Sequence, residues 1–390
     1  MWRDSGGGLA RLCIAAFVAY SSYALCRTPL LPLLARDLGA GPSMIGVVVA
    51  ASTVTGIIVK LPAGALSDVL GRRPLLLAGA IAFALVPFGY LGVSTLAGLV
   101  FLRLLHGNAT AIFGPVASAS VSDLAPPDRR GAWLGAYATA QGTGQALGPL
   151  LAGYLLAAGR FDTAFVAAGV IGLAAPMIVS RVAAVPAPHH TESRRRALVA
   201  GVREVLSDRL VLVTSAAHAA QFVMNGALNA FLPLYGRDVV GLTTPQLGWL
   251  FAGQTLTTLA VRPLVGAASD RIGRRGVIIA GLTVCAAAVW GVSATRHSWA
   301  LAGAVMIYAA GVATTTAATS AFITDVTRRA RYGAAHGVFG TIYDIGDASG
   351  PVAAGLLVAA VGYPSMFRVM ALLGLTAAAA FWALSRQNAR

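Results

Sequence analysis

Long apolar runs separated by short polar clusters set the pattern of this chain. A helix crossing a bilayer needs about 20 apolar residues at a rise of about 1.5 Å each. Runs of that length fall at about 11–34, 43–63, 74–93, 95–119, 133–157 and 163–182. They return at about 210–235, 246–265, 276–295, 298–322, 333–360 and 365–385. The pattern predicts an all-α integral membrane protein of twelve spans, six on each side of a polar break. Several runs contain Gly and Pro, which membrane helices tolerate where neighbours satisfy the freed backbone groups. The first run continues past residue 30, longer than the apolar part of a signal peptide, and reads as a retained span.

The two sets of six are copies of one another. Gly64-Ala-Leu-Ser-Asp68-Val-Leu-Gly71-Arg72-Arg73 returns 202 positions later as Gly266-Ala-Ala-Ser-Asp270-Arg-Ile-Gly273-Arg274-Arg275. The same offset pairs Lys60 with Arg262, Asp123 with Asp325, and Gly148-Pro149 with Gly350-Pro351. An even number of spans per copy makes parallel repeats, an architecture that places a substrate site between the halves of a transporter. The domains are expected at 1–182 and 209–390, joined by a linker at 183–208. Gly allows close helix approach in lipid and Pro bends a span. The two Gly-Pro pairs are therefore expected at the interface on which the halves move.

Composition confirms the solvent. Hydrophobic residues make up 57% and charged residues 11%, against about 25% charged in soluble domains. Mean hydropathy is +0.74. A soluble enzyme is excluded. The net charge of +15 would suit nucleic acid, but the arginines sit in short clusters between apolar runs, so no nucleic acid is expected. They alternate between arginine-rich and arginine-poor connections, the positive-inside pattern. Both termini and the linker are expected in the cytoplasm, and the chain in the cell's inner membrane. The linker carries His189, His190 and Arg194–Arg196 and reads as a solvated positive-inside segment; lipid or metal binding by these residues is the alternative, and 197–208 has the pattern of a short amphipathic surface helix. Cys13, Cys26 and Cys285 lie far apart in apolar runs, so neither a disulfide framework nor a metal site is expected.

The repeated loop identifies a family. Gly64-x-Leu66-x-Asp68-x-x-Gly71-Arg72-Arg73 resembles the signature between spans 2 and 3 of the major facilitator superfamily, and it recurs between spans 8 and 9. Arg103-Leu-Leu-His106-Gly107-Asn resembles that family's span-4 motif. Gly144-Gln-Ala-Leu-Gly148-Pro149-Leu-Leu-Ala-Gly153 resembles the span-5 motif of its antiporter branches, with Ala152 where many relatives have Gly. The resemblance implies a secondary transporter working by alternating access, close to the drug/proton antiporters. It further implies a cytoplasmic gate of Asp68, Arg72, Arg73 and Asp123, mirrored by Asp270, Arg274, Arg275 and Asp325. A carboxylate at Asp68 can hold Arg72 and the positive amino end of the next helix. None of the Gly-rich segments forms a nucleotide-binding loop, and no nucleophile or metal constellation supports an enzyme. No cofactor is expected, with protons as the coupling ion.

Specific chemistry is sought where the repeats differ, because ionisable groups inside a membrane are costly and mark function. Arg27 and Arg103 face Leu228 and Val305 in the other copy, whereas Asp344 and Asp347 face Gly142 and Gln145. The two acids lie three apart, on one helix face. They repel each other when both are ionised, and a carboxylate that exchanges its proton is what coupling requires. Proton coupling is assigned to Asp344, Asp347 and, by resemblance, Arg103; static pairing of an acid with Arg27 or Arg103 is the alternative. His218, Gln221, Asn225 and Asn229 form a polar stripe along span 7, and Tyr20, Tyr23 and Arg27 a similar one along span 1. With His106, Gln141, Gln254 and Tyr343 they are expected to line the substrate cavity. Lys60 and Arg262 read as side chains snorkelling to the interface. The reading is proton-coupled efflux of a small molecule by a single chain in the bilayer. A small-anion importer with Arg27 and Arg103 as ligands, and a non-transporting sensor on this scaffold, are the alternatives.

Overall fold

The computed structural model describes residues 5–126, 128–159, 161–182, 205–327 and 332–385. Every regular element among them is helical. The first set comprises α1 (Ser5–Arg27), α2 (Leu30–Asp37), α3 (Pro42–Leu70), α4 (Arg72–Gly89), α5 (Leu96–Leu124), α6 (Arg130–Ala157) and α7 (Phe161–Val179). The second comprises α8 (Arg209–Asp238), α9 (Thr244–Ile272), α10 (Arg274–Ala294), α11 (Ser298–Val326) and α12 (Tyr332–Ser385).

Helices and spans do not correspond one to one. The first span is broken after Arg27 and resumes as α2. Conversely, α12 holds two spans, because its helical geometry breaks at Gly362 (φ 77°). Nine described helical stretches are long and apolar enough to cross a membrane, with α1 and α2 taken together and α12 taken once. The remaining two, α6 and α9, have 28 and 29 residues but are more polar, carrying for example Gln141 and Gln145, and Gln254 and Thr258. The twelve predicted spans are thereby accounted for.

The repeated loop is mostly not a loop. Gly64–Leu70 continues α3 and Gly266–Ile272 continues α9, so each motif is a helix end, one turning glycine and the start of the next helix. Gly71 and Gly273 have φ of 88° and 95°, a backbone region that carries a steric penalty for other residues. The apolar window marks only the hydrocarbon layer, whereas backbone hydrogen bonding carries the helix onward into the polar zone. Positive-φ glycines recur at the repeat offset, Gly39 with Gly241 and Gly71 with Gly273, and Gly159 recurs one position off register as Gly362.

Two compact units emerge. The first takes Met1–Ala40, Ala51–His190 and Leu242–Leu256; the second takes Gly41–Ala50, Thr191–Gly241 and Thr257–Arg390. Within the first, α1 lies against α6, where a Cβ on Gly148 would stand 2.5 Å from the Leu25 nitrogen and Gly144 faces Phe17 and Ser21. Within the second, α8 lies against α12, where Gly346 and Gly350 face the backbone of Ala219 and Val223. Gly148 and Gly350, expected where the halves move, thus bring together spans of one unit. The first unit's core gathers Leu12, Tyr20, Phe83, Phe113 and Val116. The linker features, His189, His190, Arg194–Arg196 and most of the expected surface helix, lie outside the described residues.

Candidate functional site

In the first unit the polar residues gather around a buried cation. Arg103 on α5 is fully enclosed. Its position follows from Gly107 one turn on, where a Cβ would stand 2.9 Å from the Ser52 Cα, so α3 and α5 approach closely. Thr55 Oγ1 donates to the Leu104 carbonyl at 3.0 Å across the same contact. Arg103 Nη2 then donates to Ser52 Oγ, which also receives the Tyr23 hydroxyl at 3.2 Å. The guanidinium carbon stands 5.8 Å from the centre of the Tyr23 ring. Arg103 Nε and Nη1 make no hydrogen bond among the described residues.

His106 lies beside this group, with Nδ1 3.3 Å from the Tyr90 hydroxyl and its ring 4.9 Å from that of Tyr23. Tyr20 instead packs into the aromatic core, 5.5 Å from Phe83. Arg27 closes α1 and is half-buried, as are Gln141 on α6 and Gln254 on α9.

The second unit holds the acids and a cavity. Asp344 is buried on α12, and half-buried Asp347 stands one turn on. Asn225 Nδ2 donates to Asp347 Oδ1 at 3.4 Å, which ties the acid pair to the polar stripe of α8. On that stripe Gln221 is fully enclosed, with the buried Tyr308 side chain beside it. Asn229 is half-buried further along α8.

A cavity of about 620 Å³ opens between α8, α9, α11 and α12. Its aromatic wall is His218, Phe222, Phe339 and Tyr343, and its polar lining includes Arg262, Thr316, Ser320, Thr324 and His336. The His218 ring stacks on Phe339 at 4.7 Å and 14°. Phe222 and Tyr343 lie 4.7 Å apart. Thr319 Oγ1 is 3.2 Å from His218 Nδ1, and Thr324 Oγ1 is 3.0 Å from His336 Nε2, so both imidazoles are anchored by α11.

The gate residues form two matching networks. Arg72 Nε donates to Asp123 Oδ2 at 3.1 Å, and Arg274 Nε donates to Asp325 Oδ2 at 3.0 Å. Arg72 Nη1 reaches Ser67 Oγ at 2.6 Å, and Arg274 Nη1 reaches Ser269 Oγ at 2.6 Å. Asp270 pairs with Arg274. Arg73 donates to the Ser180 carbonyl at 2.5 Å, whereas Arg275 is half-buried at the start of α10. The Asp68 side chain lies outside the described residues. Each of these bonds closes within a single unit.

This duplicated helical frame agrees with comparison to known proteins. The sequence matches the profile of the Major Facilitator Superfamily over residues 12–245 and 238–390. The chain belongs to that superfamily. An uncharacterized MFS-type transporter of Methanocaldococcus jannaschii is 24% identical over 352 residues, covering 89% of this chain and 90% of the relative. The multidrug resistance protein MdtG of Enterobacter lignolyticus is 26% identical over 378 residues, covering 92% of this chain and 88% of that one. Among solved structures, an inward-facing bacterial homologue of the human lysosomal transporter Spinster superposes with a TM-score of 0.82 at 15% identity, over 99% of this chain and 98% of that one.

This major facilitator superfamily protein is therefore a multi-pass membrane transporter and not an enzyme. Some of its site residues escaped sequence reasoning. Arg262, read as snorkelling, lines the cavity. Thr316, Ser320 and Thr324 recur every four residues on α11, a hydroxyl stripe as regular as the imidazole-and-amide stripe found on α8. Ser67 and Ser269 occupy the same place in both copies of the repeated motif, and that repetition was the available signal.

Proposed function

We propose that this transporter exports a small molecule across the cell's inner membrane in exchange for protons, with Asp344 and Asp347 as the coupling carboxylates and the single chain as the working unit. The supporting observation is the acid pair itself: a buried Asp344 with Asp347 one turn on, tied to Asn225 of the stripe that also carries Gln221 and His218. Protonation removes charge from such a site and alters what it can hold, which is how a proton gradient can drive a second solute. The efflux direction draws on the span-5 motif and on the likeness to MdtG. The arginine-rich connections support a cytoplasmic location for both termini. The test is transport by proteoliposomes with and without an imposed pH gradient. Asp344→Asn and Asp347→Asn should each lose most of the gradient's effect. If both keep it in full, the coupling assignment is wrong.

Arg103 supports a second reading. A fully buried guanidinium with two nitrogens not hydrogen-bonded is a site for an anion, and in a small-anion importer Arg103 and Arg27 would be the ligands. Counterflow of short aliphatic carboxylates, compared between the parent and Arg27→Ala, separates that reading from export: only an importer of this kind shows counterflow that the variant loses.

A further inference from the structure

We propose that the substrate is a planar aromatic anion held in the second unit's cavity between the rings of Phe222, Phe339 and Tyr343, with its charged group at Arg262. This inference names a substrate class and rests on the export reading above. Size comes first: 620 Å³ lies in the range of about 300–1,000 Å³ that encloses small organic ligands. Shape follows from the walls. His218 and Phe339 already form a stacked pair, and Phe222 and Tyr343 close on them from the side, so the apolar part of the lining is made of π faces and ring edges. Flat rings exploit such walls through offset and edge contacts worth about 0.5–1.5 kcal/mol beyond area burial.

Charge is decided by the rest of the lining. It contains one guanidinium, two imidazoles and four hydroxyls, that of Tyr343 among them, and no carboxylate among the described lining residues. The imidazoles are already engaged by Thr319 and Thr324. Arg262 therefore remains as the permanent charge, and its planar fork matches a carboxylate or phenolate in two parallel hydrogen bonds. A cationic ligand would meet a like charge and no counter-charge here. Asp344 and Asp347, one and four residues beyond Tyr343 on α12, are not in the lining. The cavity's Tyr343 and the proposed coupling acids are thus neighbours on α12, so ligand and proton sites are adjacent but separate.

The test is calorimetric titration of the purified full chain in detergent, without a gradient, using 2-naphthoate, uncharged 2-naphthamide and cationic 2-naphthylmethylamine. On the parent chain naphthoate should bind at least tenfold more tightly than either analogue. Arg262→Gln should bring naphthoate and naphthamide within threefold of each other, and Arg262→Lys should recover part of the difference. Phe339→Ala should weaken all three. Equal or tighter binding of the amine or the amide by the parent would overturn the proposal whatever the variants do. So would an unchanged anion preference in Arg262→Gln. No gradient enters this measurement, so its failure leaves the coupling assignment untouched. Gradient-independent transport by the aspartate variants would likewise leave the ligand class standing.

Discussion

A buried arginine is expensive, and Arg103 shows little to offset the expense. Removing a guanidinium from water costs several kcal/mol, and the cost is recovered only with a well-placed counter-ion. The neighbours of Arg103 include Ser52 and the side chains of Tyr23 and Tyr90, and two of its nitrogens make no hydrogen bond among the described residues. Such an arrangement persists for function and not for stability. Arg103→Met keeps the volume and removes the charge, so the unfolding midpoint in detergent should hold or rise, by up to about 1–4 kcal/mol of stability. Transport should fall at least tenfold. A variant that melts several degrees lower would instead make Arg103 a strut. Arg103 and the acids of α12 were legible in the sequence because aligning the repeats exposes charges without a counterpart. Arg262 was hidden by the same comparison: its counterpart is Lys60, so it looked like a symmetric interfacial cation. Its cavity forms only where side chains of four helices meet, which no spacing within one helix reveals.

At the level of elements, glycine decides which helices touch. Gly144 and Gly148 seat α1 on α6, and their counterparts Gly346 and Gly350 seat α8 on α12. Gly135 lies on α6 as well, but a Cβ there would meet nothing within 4 Å. Gly148→Val should therefore destabilise the purified protein by about 1–3 kcal/mol, because its branches press on Ala24 and Leu25. Gly135→Ala should be neutral or stabilising by up to about 1 kcal/mol through helix propensity alone. Paired thermal melts in one detergent check both, and equal shifts would refute the packing assignment. The fold was legible because spans, turn glycines and repeat register are written as apolar runs and recurring Gly positions. The helix ends were not. Gly64–Leu70 and Gly266–Ile272 look like polar loops because hydropathy reports the surrounding solvent, whereas a helix continues as long as its backbone is hydrogen-bonded. The break after Arg27 escaped for the converse reason, since it lies within an apolar run that shows no change of solvent, whereas the break at Gly362 falls in the expected gap between the runs 333–360 and 365–385.

For the whole molecule, orientation is the property on which export and import turn. The duplication reaches atomic detail: the Arg72–Asp123–Ser67 and Arg274–Asp325–Ser269 networks match to within 0.1 Å while each closes in its own unit. Parallel repeats place equivalent connections on the same side of the membrane, so both networks belong to the arginine-rich side. In the proposed orientation, drawn from the arginine bias near span ends, that side is cytoplasmic. Ser207, before α8, lies on the arginine-rich side, whereas His297, between α10 and α11, lies on the other; both are exposed. The native thiols Cys26 and Cys285 are buried and Cys13 is half-buried, so Cys13→Ser leaves a quiet background. In intact cells a membrane-impermeant maleimide should label His297→Cys, and it should label Ser207→Cys only after permeabilisation. The opposite result would invert the orientation, and a proton gradient directed inward would then drive the site from the other face.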